Sequence, residues 1–250
     1  MPKNLIIIPT YNEIENIEEL ITRIFQIVPQ VHLLVVDDGS KDGTAAKVKE
    51  LMTRYPDKVN ILERPGKMGL GSAYIAGFKW GLASGFDTLT EMDADFSHNP
   101  EVLPNLLDKL KDHPVVVGSR YVPGGSTRNW SILRKMISRF GSFYARTILG
   151  IKVSDLTGGF NGWQAKVLKA IDPDTITSEG YSFQIELKYR AHLCGFSILE
   201  IPIIFFDRFA GQSKMSTRIV IEAMFRVWML RFNAGFYKRL YRESTVTAEN

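Results

Sequence analysis

The first 120 residues alternate short apolar runs with segments in which apolar residues recur every three or four positions. This recurrence is the period of an amphipathic helix, and it occurs at residues 13–28, 44–55, 73–80 and 102–110. The intervening apolar runs predict buried strands at Leu5–Ile8, Val31–Val36, Val59–Leu62, Thr88–Met92 and Val115–Val117. Because strands without a polar face need cover on both sides, the alternation predicts an α/β fold with a mostly parallel sheet flanked by helices.

The pattern changes after Arg120. Long helices rich in basic and aromatic residues are predicted at 131–149 and 215–240, and an apolar strand is predicted at Ile198–Phe206. No linker rich in Pro, Gly or Ser separates the two parts. We therefore expect one domain over residues 1–242, with halves at 1–120 and 121–242, followed by a frayed polar tail at 243–250.

Composition limits where such a chain can act. With 250 residues it can bury a large core, and its single cysteine, Cys194, excludes an intrachain disulfide and a multi-cysteine metal site. The apolar run before Pro9 is too short for a signal peptide, and no stretch approaches the roughly 18 to 20 apolar residues of a spanning helix. These features predict a cytoplasmic protein in a reducing compartment that does not cross a bilayer.

The net charge of +4 is unevenly distributed along the chain. Residues 118–152 hold seven basic residues and no acidic one, and residues 208–242 hold eight basic residues against Glu222 alone. These two segments carry +14 together, so the remainder carries −10. Such segregation indicates an anionic partner, although two solvated helix faces are the simpler alternative.

The predicted C-terminal helix mixes its basic residues with large aromatic ones. Trp228, Phe232 and Phe236 stand among Arg226, Arg231 and further basic residues, a composition suited to an anionic membrane interface. The alternative is a helix that packs on the core and extends its basic side chains to solvent. We expect a membrane surface as a partner and no nucleic acid.

Polar residues follow four of the predicted strands, at the edge where parallel sheets bind ligands. They are Pro9–Glu13, Asp37–Ser40, Asp93–Asp95 and Gly118–Arg120. Three of the four bring carboxylates, which repel one another unless a cation or several hydrogen-bond donors compensate. The sequence therefore predicts a divalent metal ion or a donor-rich ligand at this edge.

Asp93 and Asp95 are the sharpest candidates for a metal site. Two carboxylates one residue apart at a strand end can hold a hard cation that also binds phosphate oxygens. The alternative is an Asx turn or a cap of the helix after Pro100, and Asp37 or Asp38 has the same alternative at the helix over 44–55.

The glycine-rich stretch at 66–71 matches neither the phosphate loop of nucleotide hydrolases nor the dinucleotide-binding fingerprint. A tight turn before a helix, with Lys67 exposed, is the simpler interpretation. His98 follows Asp95 by three residues and could reach the site, although a lone histidine there is more often a loop residue.

Several blocks together resemble a known family, the polyprenol (dolichol) phosphate mannosyltransferases of the family 2 glycosyltransferases. They are IIIPTYNE at 6–13, VVDDGSKDGT at 35–44, GKMGLGSAY at 66–74, MDADFSHNP at 92–100, GSRY at 118–121, DLTGGFNG at 155–162 and RFAGQSKMS at 208–216. The resemblance covers about residues 4–232 and implies the GT-A (Rossmann-like) fold, in the compact type without transmembrane helices.

The resemblance implies a role for individual residues. The nucleotide would be held by Pro9, Tyr11, Glu13 and Asp38, and the donor with its Mg²⁺ or Mn²⁺ by Asp93, Ala94 and Asp95, with Asp93 and Asp95 as the metal ligands. Ser97 belongs to the donor site at a position where some members have glutamine. The acceptor phosphate would be bound by Arg120, Arg134 and Ser138, and the donor diphosphate would be covered by Arg208 and Lys214. The catalytic set is then Asp95, Arg120, Arg208 and Lys214.

The implied reaction is an inverting transfer of mannose from GDP-mannose to a polyprenyl (dolichyl) phosphate, giving polyprenyl phosphate β-mannose. Residues 1–120 would bind the nucleotide sugar, and residues 121–242 would face the acceptor and the cytoplasmic side of a membrane, where small membrane subunits are candidate partners. A glucosyltransferase using UDP-glucose is the alternative enzyme. A non-catalytic scaffold that binds nucleotide sugars is the alternative from another class.

Overall fold

The computed structural model describes residues 2–207, 217–239 and 241. Its strands are β1 (Asn4–Thr10), β2 (His32–Asp37), β3 (Val59–Glu63), β4 (Thr88–Glu91), β5 (Val115–Ser119), β6 (Ser126–Arg128), β7 (Asn161–Gln164), β8 (Ile198–Pro202) and β9 (Ile204–Phe206). Its α-helices are α1 (Ile17–Ile27), α2 (Thr44–Arg54), α3 (Leu70–Ala83), α4 (Leu103–Lys109), α5 (Ile132–Leu149), α6 (Ala165–Ile171), α7 (Gly180–Leu193) and α8 (Thr217–Phe232). Short 3₁₀ helices lie at Pro100–Val102 and Pro173–Thr175.

Seven of these strands form one sheet in the order β3-β2-β1-β4-β7-β5-β8. All neighbours are parallel except β7, which runs antiparallel between β4 and β5. The predicted α/β fold with a mostly parallel sheet is thereby confirmed. Strands from both predicted halves join this sheet, and the division at residue 120 stays a prediction.

The sheet is covered on both faces because its central strands have no polar face. Along β1, Ile6 and Ile8 pack into a core shared with α1, α2 and α4, whereas Leu5 and Ile7 pack into a core shared with α3, α6 and α7. This alternation gives three layers, helix, sheet and helix, and leaves the carboxyl ends of β1, β2 and β4 open at one edge.

The helices α5 and α8 lie outside these layers. They pack against α7 through a third apolar cluster that includes Ala145 and Leu149 of α5, Tyr189 of α7, and Val227 and Leu230 of α8. Thus the two helices that carry the basic segments are neighbours in space. In the described part of the chain, no helix combines the length and apolar character needed to span a membrane.

Two predicted elements differ from the structure. The single strand expected at Ile198–Phe206 is divided into β8 and β9, which belong to different sheets. Pro202 has no backbone N–H to continue the ladder, and after it Ile203 accepts a hydrogen bond from the backbone N–H of Ser126, so the chain changes partner from β5 to β6.

The helix expected at 215–240 also differs. α8 ends at Phe232, and a separate helical segment follows at 234–239, whereas residues 215 and 216 lie outside the described residues. The predicted tail at 243–250 also lies outside them.

Candidate functional site

A cavity of about 400 Å³ opens at the carboxyl ends of β1, β2 and β4. Seven of the ten residues expected to bind the donor line it: Pro9, Tyr11, Glu13, Asp38, Asp93, Ala94 and Asp95. The other lining residues are Thr10, Lys67, Gly69, Leu70, Ala73, Arg134, Tyr181 and Asp207. Arg208 and Lys214 lie outside the described residues.

Asp38 anchors the glycine-rich turn at one end of the cavity. The Arg64 guanidinium donates to Asp38 Oδ1 from Nε at 2.6 Å, and the backbone N–H of Met68 donates to Oδ2 at 3.1 Å. Arg64 also donates to the Ser72 hydroxyl at 2.9 Å, which ties the turn to the start of α3. Asp38 therefore shapes this wall of the cavity.

The N-cap residue of α2 is Gly43, so neither Asp37 nor Asp38, the two residues suspected from the sequence, caps this helix. Asp42 Oδ1 accepts the backbone N–H of Thr44, the first residue of the helix, at 3.0 Å. Asp37 instead accepts hydrogen bonds from the hydroxyls of Thr10 at 2.9 Å and Ser40 at 2.6 Å. Asp37 is thus buried and ties the ends of β1 and β2 together, while Asp38 faces the cavity.

Asp93 is held from two sides. The Tyr74 hydroxyl donates to its Oδ1 at 2.9 Å, and its backbone N–H donates to Nδ1 of His98 at 3.0 Å. Because Nδ1 accepts, the proton of a neutral His98 ring lies on Nε2, which is 3.8 Å from Asp93 Oδ2. His98 is therefore more than a loop residue, since its buried ring supports a wall of the cavity.

The turn after β4 combines two roles that the sequence left open. Asp95 Oδ1 accepts the backbone N–H of Ser97 at 3.1 Å, which is the expected Asx turn, and Asp95 also lines the cavity. Phe96 between them has φ of +59°, a left-handed conformation that reverses the chain. The turn buries Ser97 behind the cavity wall, so its role in the donor site stays a prediction.

The residues present fit a divalent cation that takes few protein ligands. Asp93 and Asp95 supply hard carboxylate oxygens on one cavity wall, and Asp93 is hydrogen-bonded through its carboxylate to Tyr74 and through its backbone N–H to His98. In the part of the chain that the structure describes, no group of three or more His, Cys, Asp or Glu side chains could hold a metal. Phosphate and water oxygens would therefore complete the coordination.

Among the described residues that line the cavity, acidic residues outnumber basic ones. Five carboxylates line it, from Glu13, Asp38, Asp93, Asp95 and Asp207, against Lys67 and Arg134. A diphosphate placed here needs added positive charge to offset the repulsion between anions.

Seven of the residues that line the cavity were not predicted as site residues from the sequence, and three of them have side chains with charged or phenolic groups: Lys67, Tyr181 and Asp207. Lys67, which was interpreted as simply exposed, lies with Nζ 4.2 Å from the centre of the Tyr11 ring. Asp207 follows β9, and Tyr181 stands in the first turn of α7. The strand-end rule could have indicated Asp207, whereas Tyr181 has no sequence signal of its own.

Arg120 is buried and bound to Asp155. Its Nε and Nη2 donate to the two oxygens of Asp155 at 2.7 and 2.6 Å, and Nη2 also donates to the Thr157 hydroxyl at 2.9 Å. Although burial raises the pKa of Asp155, the adjacent guanidinium holds it below its ordinary value, so the pair is ionised. Arg120 does not line the described cavity, and its contact with an acceptor phosphate stays a prediction.

Behind Asp93, a buried network connects β4 with α7. Glu91 of β4 accepts hydrogen bonds from Trp163 at 2.7 Å, from Asn161 at 3.1 Å and from Gln184 of α7 at 2.5 Å, and Lys188 of α7 donates to the carbonyl of Gly158 at 2.7 Å. Burial raises the pKa of Glu91 to about 7 and lowers that of Lys188 to about 8. These groups fix the loop at 155–159, which carries the partner of Arg120.

Arg134 and Ser138 lie one turn apart on α5. Arg134 lines the cavity, donates from Nη1 to Asp207 at 2.8 Å and stacks its guanidinium 4.1 Å from the centre of the Trp130 ring. Ser138 accepts the Tyr121 hydroxyl at 2.6 Å and lines a second pocket. α5 therefore contributes residues to both the polar cavity and this second pocket.

This second pocket is an apolar groove of about 400 Å³ between α5, α7 and α8. Its lining is Trp130, Leu133, Met136, Ile137, Ser138, Phe140, Gly141, Tyr144, Thr157, Tyr181, Ile185, Met224 and Val227. Tyr181 also lines the cavity, so the groove and the cavity adjoin.

Comparison with known families agrees with this geometry. Residues 5–172 match the model of glycosyl transferase family 2, which is more than half of the chain. The chain belongs to glycosyltransferase family 2. The family match includes the carboxylates that follow β1, β2 and β4 and line the cavity, whereas Asp207 after β9 lies outside it.

Curated relatives of this glycosyltransferase match nearly its whole length. It is 48% identical over 232 residues to polyprenol monophosphomannose synthase of Mycolicibacterium smegmatis, covering 92% of this chain and 88% of that protein. It is 49% identical over 223 residues to undecaprenyl-phosphate mannosyltransferase of Micrococcus luteus, covering 89% of this chain and 91% of that protein.

Solved structures share its fold at low sequence identity. Glucosyl-3-phosphoglycerate synthase from Mycobacterium tuberculosis, crystallised with Mn²⁺, UDP and glucosyl-3-phosphoglycerate, superposes with a TM-score of 0.65 and 18% identity, covering 93% of this chain and 80% of that one. A complex of the same enzyme with Mn²⁺, UDP-glucose and glycerol 3-phosphate gives a TM-score of 0.64 and 17% identity, with the same coverage. The GT-A-type fold expected from the resemblance is thus confirmed.

Proposed function

We propose that this glycosyltransferase transfers mannose from GDP-mannose to a polyprenyl (dolichyl) phosphate and releases GDP. The anomeric carbon would exchange its bond to the diphosphate for a bond to an acceptor phosphate oxygen. A single direct attack inverts that carbon, so an α-linked donor sugar becomes a β-linked mannolipid. The names of the two curated relatives support the acceptor and the sugar.

The observation that carries the proposal is the apolar groove beside the polar cavity. The groove, lined by residues such as Leu133, Ile137 and Phe140, offers an apolar surface against which a lipid chain can be buried. A lipid phosphate needs both environments, an apolar space for the chain and a cation near the reacting sugar. Arg134 in the cavity and Ser138 in the groove lie one helical turn apart, and the acceptor phosphate would bind at their junction beside Tyr181.

Asp93 and Asp95 would hold Mg²⁺ or Mn²⁺ on the donor side of the cavity. When bound, the metal would neutralise the charge that develops on the leaving diphosphate. Arg208 and Lys214, from the block that resembles the family motif, would add their cationic side chains to the same diphosphate. Pro9, Tyr11, Glu13, Asp38 and Ala94 would form the remaining contacts with the nucleotide, and Ser97 would support their wall.

The acceptor needs no strong general base. A phosphate monoester has a second pKa of about 6, so it is already a dianion at neutral pH. The task of the protein is to bring two phosphate groups together, and the charge of Arg134 would offset their repulsion. Arg120, which holds the loop at 155–159 behind the cavity wall, would add to the positive electrostatic potential at the acceptor phosphate.

We also propose that the enzyme acts at the cytoplasmic face of a membrane, without spanning it. Ile132, Met136 and Phe140 of α5 are exposed, as are Phe225 and Phe232 of α8. Lys135 and Arg139 lie among them on α5, which suits a surface of anionic lipid.

The deciding experiment measures transfer of radiolabelled sugar to polyprenyl phosphate in detergent, with GDP-mannose or UDP-glucose, in Mg²⁺, in Mn²⁺ or in EDTA. We expect mannolipid from GDP-mannose only, and only with metal. If product forms from UDP-glucose alone, the donor is UDP-glucose and not GDP-mannose. Nucleotide binding with no transfer from either donor would favour a scaffold.

A further inference from the structure

We propose that Tyr74 is a positioning residue that holds the Asp93 carboxylate in the orientation in which it binds the divalent cation. The inference rests on the metal site of the proposed function and assigns a task to the last residue of the GKMGLGSAY block. It concerns a side chain that does not line the described cavity.

The position of the Tyr74 ring is fixed by packing. Tyr74 has no exposed surface, and its ring lies parallel to that of Phe183, 6° apart in plane and 6.3 Å between centres. The ring of Phe78 stacks on it at 6.3 Å. Contact with both rings fixes the position of the Tyr74 oxygen, which lies 2.9 Å from Asp93 Oδ1.

The helix that carries Tyr74 is also fixed relative to the sheet. Gly77, three residues on, lies so close to β1 that a Cβ there would be 2.5 Å from Ile7 Cγ2. The distance between the phenol of α3 and the carboxylate after β4 is therefore set by the contact between α3 and the sheet.

His98 holds the same residue from the other side. Its ring stacks on Phe160 at 4.9 Å and accepts the backbone N–H of Asp93 at 3.0 Å. The histidine thus fixes the backbone of Asp93, and the tyrosine fixes its carboxylate. A carboxylate oxygen has more than one lone pair, so Oδ1 can accept from Tyr74 and still bind a cation.

Loss of the Tyr74 hydroxyl would let the carboxylate rotate and require the metal to order it on binding. Hydrogen-bonding partners of metal ligands typically change metal affinity by about 10- to 100-fold. The Tyr74→Phe substitution removes only the hydroxyl and keeps the ring between Phe78 and Phe183. It is therefore a test of orientation with little effect on packing.

The test measures Mn²⁺ binding to the full-length protein by electron paramagnetic resonance, in the presence of GDP. We expect Tyr74→Phe to raise the Kd for Mn²⁺ about 10-fold or more. The matched control is Tyr189→Phe, which removes a buried hydroxyl on α7 in the third apolar cluster, and it should leave the Kd unchanged. Thermal unfolding of both variants shows that they fold.

A second readout separates positioning from a general defect. If Tyr74 orients a metal ligand, saturating Mn²⁺ should restore the transfer rate of Tyr74→Phe. The Mn²⁺ concentration for half-maximal rate should then rise by a larger factor than the factor by which kcat falls. An unchanged Kd for Mn²⁺ in a folded Tyr74→Phe variant would overturn the inference and leave the proposed function intact. Absence of Mn²⁺ binding by the wild-type protein with GDP would overturn both.

Discussion

At the residue scale, two pairs of aspartates show how neighbouring carboxylates take different tasks. Asp37 is buried and accepts hydroxyl donors from Thr10 and Ser40, while Asp38 faces the cavity. Asp93 and Asp95 both face the cavity, but Asp93 is held by Tyr74 and Asp95 closes a turn with Ser97. The residue type supplies the negative charge, and the surrounding backbone determines which groups that charge contacts.

The first prediction concerns Asp95. If Asp95 binds the metal as proposed, both Asp95→Ala and Asp95→Asn should lower mannose transfer on the order of 100-fold or more, because each removes a negative charge at the site where charge develops. The asparagine keeps an oxygen that can accept the backbone N–H of Ser97, so the turn and the unfolding midpoint should be preserved.

The control for this prediction is Asp112→Ala, which changes an exposed aspartate outside the cavity. Transfer and thermal unfolding are measured for all three variants. Near wild-type transfer by Asp95→Asn would contradict the assignment of this residue as a metal ligand.

The second prediction concerns the pH dependence of stability at Glu91. Burial raises the pKa of Glu91 from 4.5 to about 7, so between these values the folded protein holds a proton that the unfolded chain has released. The contribution of Glu91 to the free energy of unfolding is therefore fully present below pH 4.5 and is lost as the pH rises through 7. The loss amounts to at most about 3 kcal/mol.

Urea unfolding at several pH values between 4.5 and 7 tests this sign. Glu91→Gln removes the titrating group, so its free energy of unfolding should fall less steeply with pH than that of the wild type. The difference between the two slopes cancels the contributions of titrating groups that do not interact with Glu91. Equal slopes would show that Glu91 titrates at its ordinary pKa in the folded protein.

At the element scale, α3 lies close to the sheet because glycines face the strands. A Cβ at Gly77 would lie 2.5 Å from Ile7 Cγ2, and one at Gly81 would lie 2.5 Å from Leu89 Cδ2. These contacts set the height of α3 and with it the position of Tyr74. The sequence shows the glycines, but not that they meet a strand.

The third prediction is that Gly77→Ala destabilises the protein by about 1 to 3 kcal/mol, because the added methyl forces α3 off β1. The matched control is Gly141→Ala in the interior of α5, where nothing lies within 4 Å of the new Cβ. Since alanine favours helix over glycine, that variant should gain up to about 1 kcal/mol. Urea unfolding measures both, and a Gly77→Ala variant as stable as Gly141→Ala would contradict the packing argument.

The fourth prediction uses the same α5 position to test the groove. Gly141 lines the groove, and its missing side chain leaves open space, so Gly141→Leu would fill part of the volume proposed for the lipid. The KM for a long-chain polyprenyl phosphate should rise roughly tenfold, equivalent to about 1.4 kcal/mol. The KM for GDP-mannose should not change.

Gly141→Ala again serves as the control, because a methyl group occupies little of the groove. Steady-state kinetics with both substrates shows whether a substitution changes the KM for the lipid acceptor or the KM for GDP-mannose. An unchanged KM for the long-chain acceptor in Gly141→Leu would place the lipid elsewhere.

At the scale of the whole molecule, a helix from each of the two basic segments, which are distant in sequence, lies on the same side of the described structure. Their helices α5 and α8 pack together on α7, and they carry most of the large exposed apolar side chains among the described residues. This face adjoins the groove, whose lining includes Met136, Phe140 and Met224. If this face binds a membrane as proposed, a lipid acceptor would enter the groove without crossing water.

The fifth prediction is that the protein binds vesicles containing anionic lipid and is released by salt. The double variant Met136→Ser with Phe140→Ser should bind about tenfold more weakly, because 64% and 60% of these side chains are exposed and would be buried in lipid. Phe140→Leu keeps the apolar contact and should bind like the wild type. Co-sedimentation at low and high salt measures this, and equal binding by the double variant would exclude this face.

The sequence by itself determined the α/β fold and the edge at which the site lies. Apolar periodicity is a local property, and the strands β1, β2 and β4 follow from it because each is buried on both faces. Parallel strands then bring their following residues to one edge, so Glu13, Asp38 and Asp95 meet around one cavity. Both conclusions need only the order of residues along each segment and the geometry of parallel strands.

Only the tertiary structure decided the rest. The antiparallel insertion of β7, the pairing of Arg120 with Asp155 and the approach of Tyr181 to both binding spaces all join residues far apart in the chain. Tyr74 and His98 are similar cases, because a tyrosine on a helix and a histidine in a loop become supports for Asp93 only when α3 and the turn after β4 are packed. No local pattern carries such contacts, since they depend on how whole elements pack against each other.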